Sequence, residues 1–354
     1  MSLTLSVVLP FKEVNSYLKT AIDSTLADLP LNSELLVVST SQNLSSFKLA
    51  YPEFSQNENL IQVLSIKPDL ISKLNTGIGA ARGKYIARMD ADDIVLSGRF
   101  RAQLEFLEKS KDTVVVGTSM IYICKHGTAI GCQPYPSKVR QFPLKSLVPE
   151  VAHPTVMMRA DVVRKLGGYS TNFPHVEDHD LWIRMQNVGV LRNLRTPFLK
   201  YRLHETQESR IFSGEQKVNG LLALLLDLKA TSKDSGTSEK ILSLRGKEFP
   251  FVVSSLESLV GELAAIKRVA VRLLFARLKY VEKHGEGVLE AGLRESLRFK
   301  FPNTLSTSLQ GYSAKQGVSV IVVAIQSAIK WQINQIRWKR VANSLNFEVC
   351  RKCE

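Results

Sequence analysis

The sequence predicts an α/β fold built on a mostly parallel central sheet and followed by a helical C-terminal part, and three observations lead there. Short β-branched runs alternate with amphipathic stretches from Leu3 to about Tyr201, the order that βαβ units write. The runs "SVVL", "LLVV" and "VVVG" are continuously apolar, as strands buried on both faces of a parallel sheet must be. From about Glu215 the apolar residues recur at three- and four-residue spacing, as in "NGLLALLLDLKA" and "KRVAVRLLFARLKYVEK", a helical period.

In chain order, "LSVVLPF" reads as the first strand, "VNSYLKTAIDSTL" as a helix, and "ELLVVST" and "NLIQVLSI" as the second and third strands. "ISKLNTGIGAA" is a further helix and "KYIARMD" a fourth strand. At 354 residues and 44% hydrophobic the chain exceeds one compact unit. The expected division is an α/β domain over residues 1–215, with halves meeting near residue 110, and a helical region over 216–354. "ATSKDSGTSEK", Ala230–Lys240, reads as a linker or surface loop.

Charge is unevenly distributed. The chain carries 47 Lys+Arg against 33 Asp+Glu, and residues 216–354 hold 22 of the basic and 12 of the acidic ones. Such a face suits an anionic surface or simply solvent, and with no recognisable nucleic-acid module no nucleic acid is expected. "MSLTLSVVLPF" lacks a basic segment before a long apolar one, so it reads as a strand and not a secretory leader. Four cysteines, Cys124, Cys132, Cys350 and Cys353, form no disulfide framework for a chain this long. The single CxxC at 350–353 has no second pair at zinc spacing. Residence in the cytoplasm is the expectation.

"YIARMDADDIVLSGRF" puts Asp90, Asp92 and Asp93 where an apolar strand ends. In open α/β sheets ligands bind outside the carboxyl ends of the strands. Carboxylates at contact distance repel by roughly 1–4 kcal/mol per pair, and a hard, oxygen-ligated cation such as Mg²⁺ or Mn²⁺ relieves that. The competing reading lets Asp92 or Asp93 cap a helix near Ser97 and pairs Asp90 with Arg88 or Arg99. Asp93 is assigned to capping, Asp90 and Asp92 to the cation.

"GIGAARGKYIARMDADDIVLSGRFRAQLEFLE" resembles the central signature of glycosyltransferase family 2, whose members have the GT-A nucleotide-sugar-binding fold and an Asp-x-Asp metal motif. "SVVLPFKE" resembles the family's opening strand, and "AHPTVMMRADVVRKLGGYSTNFPHVEDHDLWIRM" its acceptor-side region. The likeness spans residues 4–210. It implies inverting transfer from a nucleotide-diphospho-sugar to a glycan or lipid-linked acceptor, with a divalent metal, Mn²⁺ or Mg²⁺. Asp92 then touches the metal directly, Asp90 lies ribose-side or reaches it through water, and His204 completes the shell. Asp178 is the base that deprotonates the acceptor, with Glu177 orienting it. Asp180 belongs to the first turn of an acidic-started helix, whose apolar stripe is Leu181, Trp182, Met185 and Val188. His153 is a weaker, equally structural candidate.

On the nucleotide side the resemblance points to Pro10, Phe11 and Glu13 after the first strand and to Asn75 and Arg82 in "LNTGIGAARG". Here the sequence departs from the family. The second strand ends in Ser39 and Thr40 where the family usually has aspartate. A hydroxyl loses a charge-assisted bond to the base, so a UDP-sugar donor is favoured without being secure. Two alternatives follow: a donor-impaired glycan-binding or scaffold protein, and a metal-dependent nucleotidyltransferase. "VEDHDLW" speaks against the second, which needs no acceptor-side base there.

The segment "GVSVIVVAIQSAIKWQINQIRWKR" begins apolar and ends in cations around Trp331 and Trp338. Its uncharged run, Gly317–Ile329, is shorter than the ~20 residues that span a bilayer. An in-plane amphipathic helix at the inner face of the membrane and a helix packed on the catalytic domain are both compatible with it.

Overall fold

The computed structural model describes residues 3–139 and 150–204. The readings for residues 216–354, including the linker, the tryptophan-bearing helix and the CxxC, lie outside these. Among the described residues no helix is long and apolar enough to cross a membrane.

Among the described residues nine strands form one sheet: β1 (Leu5–Pro10), β2 (Ser33–Ser39), β3 (Leu60–Leu64), β4 (Tyr85–Arg88), β5 (Ile94–Val95), β6 (Thr113–Ile123), β7 (Ala129–Gln133), β8 (Met157–Arg159) and β9 (Val190–Arg202). Six helices accompany them: α1 (Ser16–Asp28), α2 (Ser41–Ala50), α3 (Leu70–Ala80), α4 (Arg99–Lys109), α5 (Ala160–Lys165) and α6 (Glu177–Gln186). The strand order is β3-β2-β1-β4-β8-β6-β9-β5, with β7 paired to β6. The parallel expectation holds from β3 to β4. Beyond β4 the sheet becomes mixed, because β8 runs antiparallel to both β4 and β6. Since β8 reverses twice, β6 and the parallel β9 point the same way as β4. The carboxyl ends of β1, β2, β4, β6 and β9 therefore share one edge.

The continuous apolar runs are explained by two cores, one on each face. Val7 lies with Leu5, Leu9, Leu18, Ile22 and Phe100 on one side, and Val8 with Leu36, Val38, Leu74, Ile78 and Trp182 on the other. Helix α1 starts where the Asn15 side chain accepts from Leu18 N, and it buries Leu18, Ala21, Ile22 and Thr25 along one stripe. Asp69 caps α3 in the same way. A Cβ on Gly77 would sit 2.4 Å from Val8 Cγ1, so this glycine lets α3 lie close against β1.

Helix α4 corrects the capping assignment. Its cap residue is Gly98, in the left-handed region at φ 85°, and the orphan amides of Gly98 and Phe100 donate to Asp28 Oδ1 and Oδ2 at 2.5 and 3.0 Å. The capping carboxylate comes from the end of α1, and Asp93 is left for another purpose. Helix α6 stops at Gln186, so Val188 falls beyond its stripe and is 56% exposed.

Candidate active site

Strand β4 is buried throughout, and its carboxyl end delivers the acid cluster. Asp93 is fully buried; its Oδ1 accepts from Arg202 N at 2.9 Å, while Oδ2 has no hydrogen-bond partner. Burial first, then the charges of Asp90 and Asp92, push its pKa well above the usual carboxylate range. Asp92 Oδ2 lies 2.7 Å from His204 Nε2. Asp90 is gripped on both oxygens by Arg88, at 2.5 and 2.6 Å. One oxygen from each aspartate lies within 4.8 Å of the others.

Two buried arginines sit beneath this cluster. Burial works against the charge of Arg88, but Asp90, Asp93 and Glu177 outweigh it, and its pKa is raised. Arg99 bonds the carbonyls of Arg88 and Pro154 at 2.8 and 3.0 Å and does not bond Asp90. Burial lowers its pKa to about 10, which still leaves it charged at neutral pH.

Helix α6 brings a second group of acids in its first turn. Glu177 is buried and Asp178 half-buried, with Asp178 Oδ1 accepting from His179 N at 2.9 Å. Asp180 pairs with Arg184 at 2.5 Å, and Arg184 in turn donates to the carbonyls of Leu166 and Gly168, each at 2.8 Å. Those carbonyl bonds pin α6 to the loop after α5. Tyr169, next in the loop, meets His153 Nε2 with its hydroxyl at 2.8 Å. Burial raises the pKa of this phenol; Arg88 opposes the rise, and Asp178, Glu177 and Asp90 reinforce it. His153 is itself buried, and burial, Arg88 and His179 hold its pKa well below the usual imidazole value. It is a neutral hydrogen-bonding group packed edge-on to Trp182 at 6.0 Å.

The nucleotide-side assignments fare differently. Arg82 is corrected: it lies in the loop that enters β4, at the amino ends of the strands, and its guanidinium binds Glu34 Oε2 at 2.6 and 2.9 Å. Asn75 is corrected as well, because its side chain accepts from Tyr169 N and donates to Tyr169 O, both at 2.8 Å. Phe11 is 2% exposed and packs on Phe47 at 5.7 Å, and Pro10 is buried at the end of β1. The Ser39 hydroxyl is fully buried, donating to Phe11 O at 2.7 Å and accepting from Asn43 at 3.1 Å. The Pro10, Phe11 and Ser39 side chains are thus buried. Glu13 is exposed in the turn before α1.

The model of the glycosyl transferase family 2 matches residues 6–167. An uncharacterized glycosyltransferase of Haemophilus influenzae is 30% identical over 227 residues, spanning 60% of this chain and 69% of that protein. The chain belongs to glycosyl transferase family 2. The O-antigen biosynthesis glycosyltransferase WbnJ of Escherichia coli is 29% identical over 216 residues, covering 58% of this chain and 83% of its own length. Among solved structures, S. aureus TarS 1–349 in complex with UDP-GlcNAc superposes with a TM-score of 0.57 at 13% identity, covering 85% of this chain and 95% of TarS 1–349. That likeness establishes the GT-A fold.

As a family 2 glycosyltransferase, the chain has an acid cluster that fits a divalent metal. The donors are hard carboxylate oxygens of Asp90, Asp92 and Asp93, the kind that suits Mg²⁺ or Mn²⁺, and Asp93 Oδ2 is buried without a hydrogen-bond partner. Sequence reasoning missed Arg202 and Tyr17 and offered Arg99 a different partner. Arg202, Tyr17 and the role of Arg99 depend on contacts between distant segments. The only local sign was a strand-end arginine two positions before His204.

Proposed function

We propose that the chain transfers a sugar from a nucleotide-diphospho-sugar, a UDP-sugar by preference, to a surface-glycan or lipid-linked acceptor with inversion at the anomeric carbon. The observation that carries this is the buried, unpartnered Oδ2 of Asp93 beside Asp90 and Asp92 at the carboxyl edge of the sheet, with Glu177 and Asp178 in the first turn of α6. A cation held by Asp92, Asp93 and His204, with Asp90 beside it, would supply charge neutralisation to a diphosphate leaving group.

The protein's own groups divide the remaining work. Arg88 fixes the Asp90 carboxylate by a bidentate fork. Asp178 is half-buried whereas Glu177 is buried, so Asp178 is the one that reaches an acceptor hydroxyl and takes its proton. The proton lost by the acceptor oxygen rests on that carboxylate as the oxygen bonds the anomeric carbon and the sugar–phosphate bond breaks. No covalent sugar–enzyme intermediate is needed.

The support for a surface-glycan acceptor lies in a relative named for O-antigen biosynthesis, and the support for UDP in a fold that holds UDP-GlcNAc in TarS. A cytoplasmic protein resting on the inner membrane face through residues 317–340 agrees with an acceptor carried on lipid. The donor-impaired reading keeps one specific observation: the hydroxyl of Ser39, which stands where an acid is usual, is consumed internally.

The test is calorimetric titration of a panel of nucleotide sugars with and without Mn²⁺, followed by assay of the donor that binds. Asp178→Asn is expected to keep donor affinity and to lose roughly 10²–10⁴-fold in turnover. Loss of donor binding instead would move Asp178 to the nucleotide side. If no nucleotide sugar binds with metal present, the scaffold reading takes over.

A further inference from the structure

His204 reaches Asp92 across a long stretch of chain, and the end of β9 shows how it is held there. Arg202, two residues earlier, is 4% exposed. Its backbone amide donates to Asp93 Oδ1 at 2.9 Å and its Nε to the carbonyl of Asp92 at 2.8 Å. Its Nη1 donates to the carbonyl of Lys125, in the turn between β6 and β7, at 3.0 Å. The guanidinium lies 4.4 Å from the ring centre of Tyr17 in α1. Tyr17 donates to the same Lys125 carbonyl at 3.1 Å, and its ring is 6.0 Å from that of His204.

These contacts differ in kind from those of Arg88. Arg88 binds a carboxylate and neutralises it, whereas the side chain of Arg202 bonds the carbonyl of Asp92 and leaves that residue's carboxylate turned to His204. The planar fork can serve two carbonyls while its face stacks on an aromatic ring. A lysine offers a point charge that does neither together.

We infer that Arg202, braced on Tyr17, is the positioning residue of the metal site: it locks the Asp92–Asp93 loop to the end of β9 and so presents the His204 imidazole to the cation that the cluster holds. The inference rests on the cluster being a metal site. It adds that metal affinity is set from α1 and from the β6–β7 turn, by groups that never touch the ion.

The experiment uses Mn²⁺ as the probe on the full-length chain, with affinity read by electron paramagnetic resonance and imidazole coordination by the ¹⁴N modulation of the bound ion. Tyr17→Leu and Arg202→Lys are expected to weaken Mn²⁺ binding by about 10–100-fold, the range for partners that orient a ligand, and to lose the ¹⁴N modulation. Tyr17→Phe keeps the stack and is expected to bind as the wild type does. In a His204→Gln background, Tyr17→Leu is expected to add little, because two residues acting through one contact are not additive. If Arg202→Lys does not fold, the Tyr17 series decides alone. Full retention of affinity and modulation in Tyr17→Leu, or full additivity with His204→Gln, overturns the inference while leaving the metal site standing. A wild-type protein that binds no Mn²⁺ overturns both.

Discussion

At the amino ends of β1, β2 and β4 the buried carboxylate of Glu34 has both oxygens engaged: Ser6 and the amide of Arg82 bind Oε1 at 2.6 and 2.8 Å, and the Arg82 guanidinium binds Oε2. At the carboxyl end of β4 the buried carboxylate of Asp93 has one oxygen bound and the other bare, with two further acids within 4.8 Å. Burial raises the pKa of both groups, but at Glu34 the bonds from Arg82 and Ser6 outweigh it and the net shift is downward. At Asp93 the neighbouring acids add to burial and the shift is upward. The same strands thus spend one charge on holding the sheet together and keep another in a state that only a ligand improves. A satisfied buried acid is a structural device, and an unsatisfied one marks the site.

The contrast is tested most severely by Asp92→Asn. This change removes a charge at the half-exposed rim of the cluster, where it meets His204. Transfer is expected to fall by roughly 10³-fold, the order for losing a group that supports developing charge, and Mn²⁺ is expected to stop raising the melting temperature. The fold should be unaffected, because none of the hydrogen bonds that carry the sheet passes through that side chain. Full activity in this variant would mean that the carboxyl-end cluster is no more functional than its amino-end counterpart.

Glu34→Gln probes the opposite end and should reverse the pattern. Its loss strands Ser6 and the Arg82 amide on a weaker partner, and the expected cost is about 1–3 kcal/mol of stability, since the half-exposed Arg82 side chain recovers water. Activity per folded molecule is expected to stay at the wild-type level. The folded pKa of Glu34 lies below its ordinary value, so its contribution is present above about pH 4.3 and drains away as pH falls through the lowered value. Acid melts of the wild type should show that decline, and the variant's melts should show less of it.

How much of this was legible in advance follows from sequence separation. The acid cluster was readable because three aspartates fall within four positions at the end of an apolar strand, a local signal. The roles proposed for Asp178 and His204 rest on the resemblance to a family, to which the sequence adds only the acids clustered at a helix start for Asp178. Arg82 was misplaced although topology forbade it: a loop that leads into a parallel strand sits at the amino edge, away from the ligand edge. Asp93 was mistaken for a cap because the true cap, Asp28, lies 70 positions before Gly98 and cannot be inferred from spacing. Ser39 was offered to a ligand because its bond to Phe11 O spans 28 positions, and a hydroxyl's partner is decided by strand pairing.

The finest test of the comparison is Asp93→Asn, measured in metal-free protein. An amide can keep the bond from Arg202 N with its oxygen and turn its NH₂ toward Asp90 and Asp92, so a repulsive contact becomes an attractive one. The expected result is a gain of about 1 kcal/mol, opposite in sign to Glu34→Gln although both replace a buried acid by its amide. Because the folded pKa of Asp93 is raised, the wild type loses stability as pH climbs from about 3.9 through that higher value. The variant's advantage should therefore be absent in acid, grow toward neutral pH and disappear when Mn²⁺ is added, since the wild type then has the ligand its bare oxygen lacked. A loss of stability at neutral pH without metal would mean that Asp93 is a satisfied structural acid like Glu34, and the distinction between the two ends of the sheet would fail.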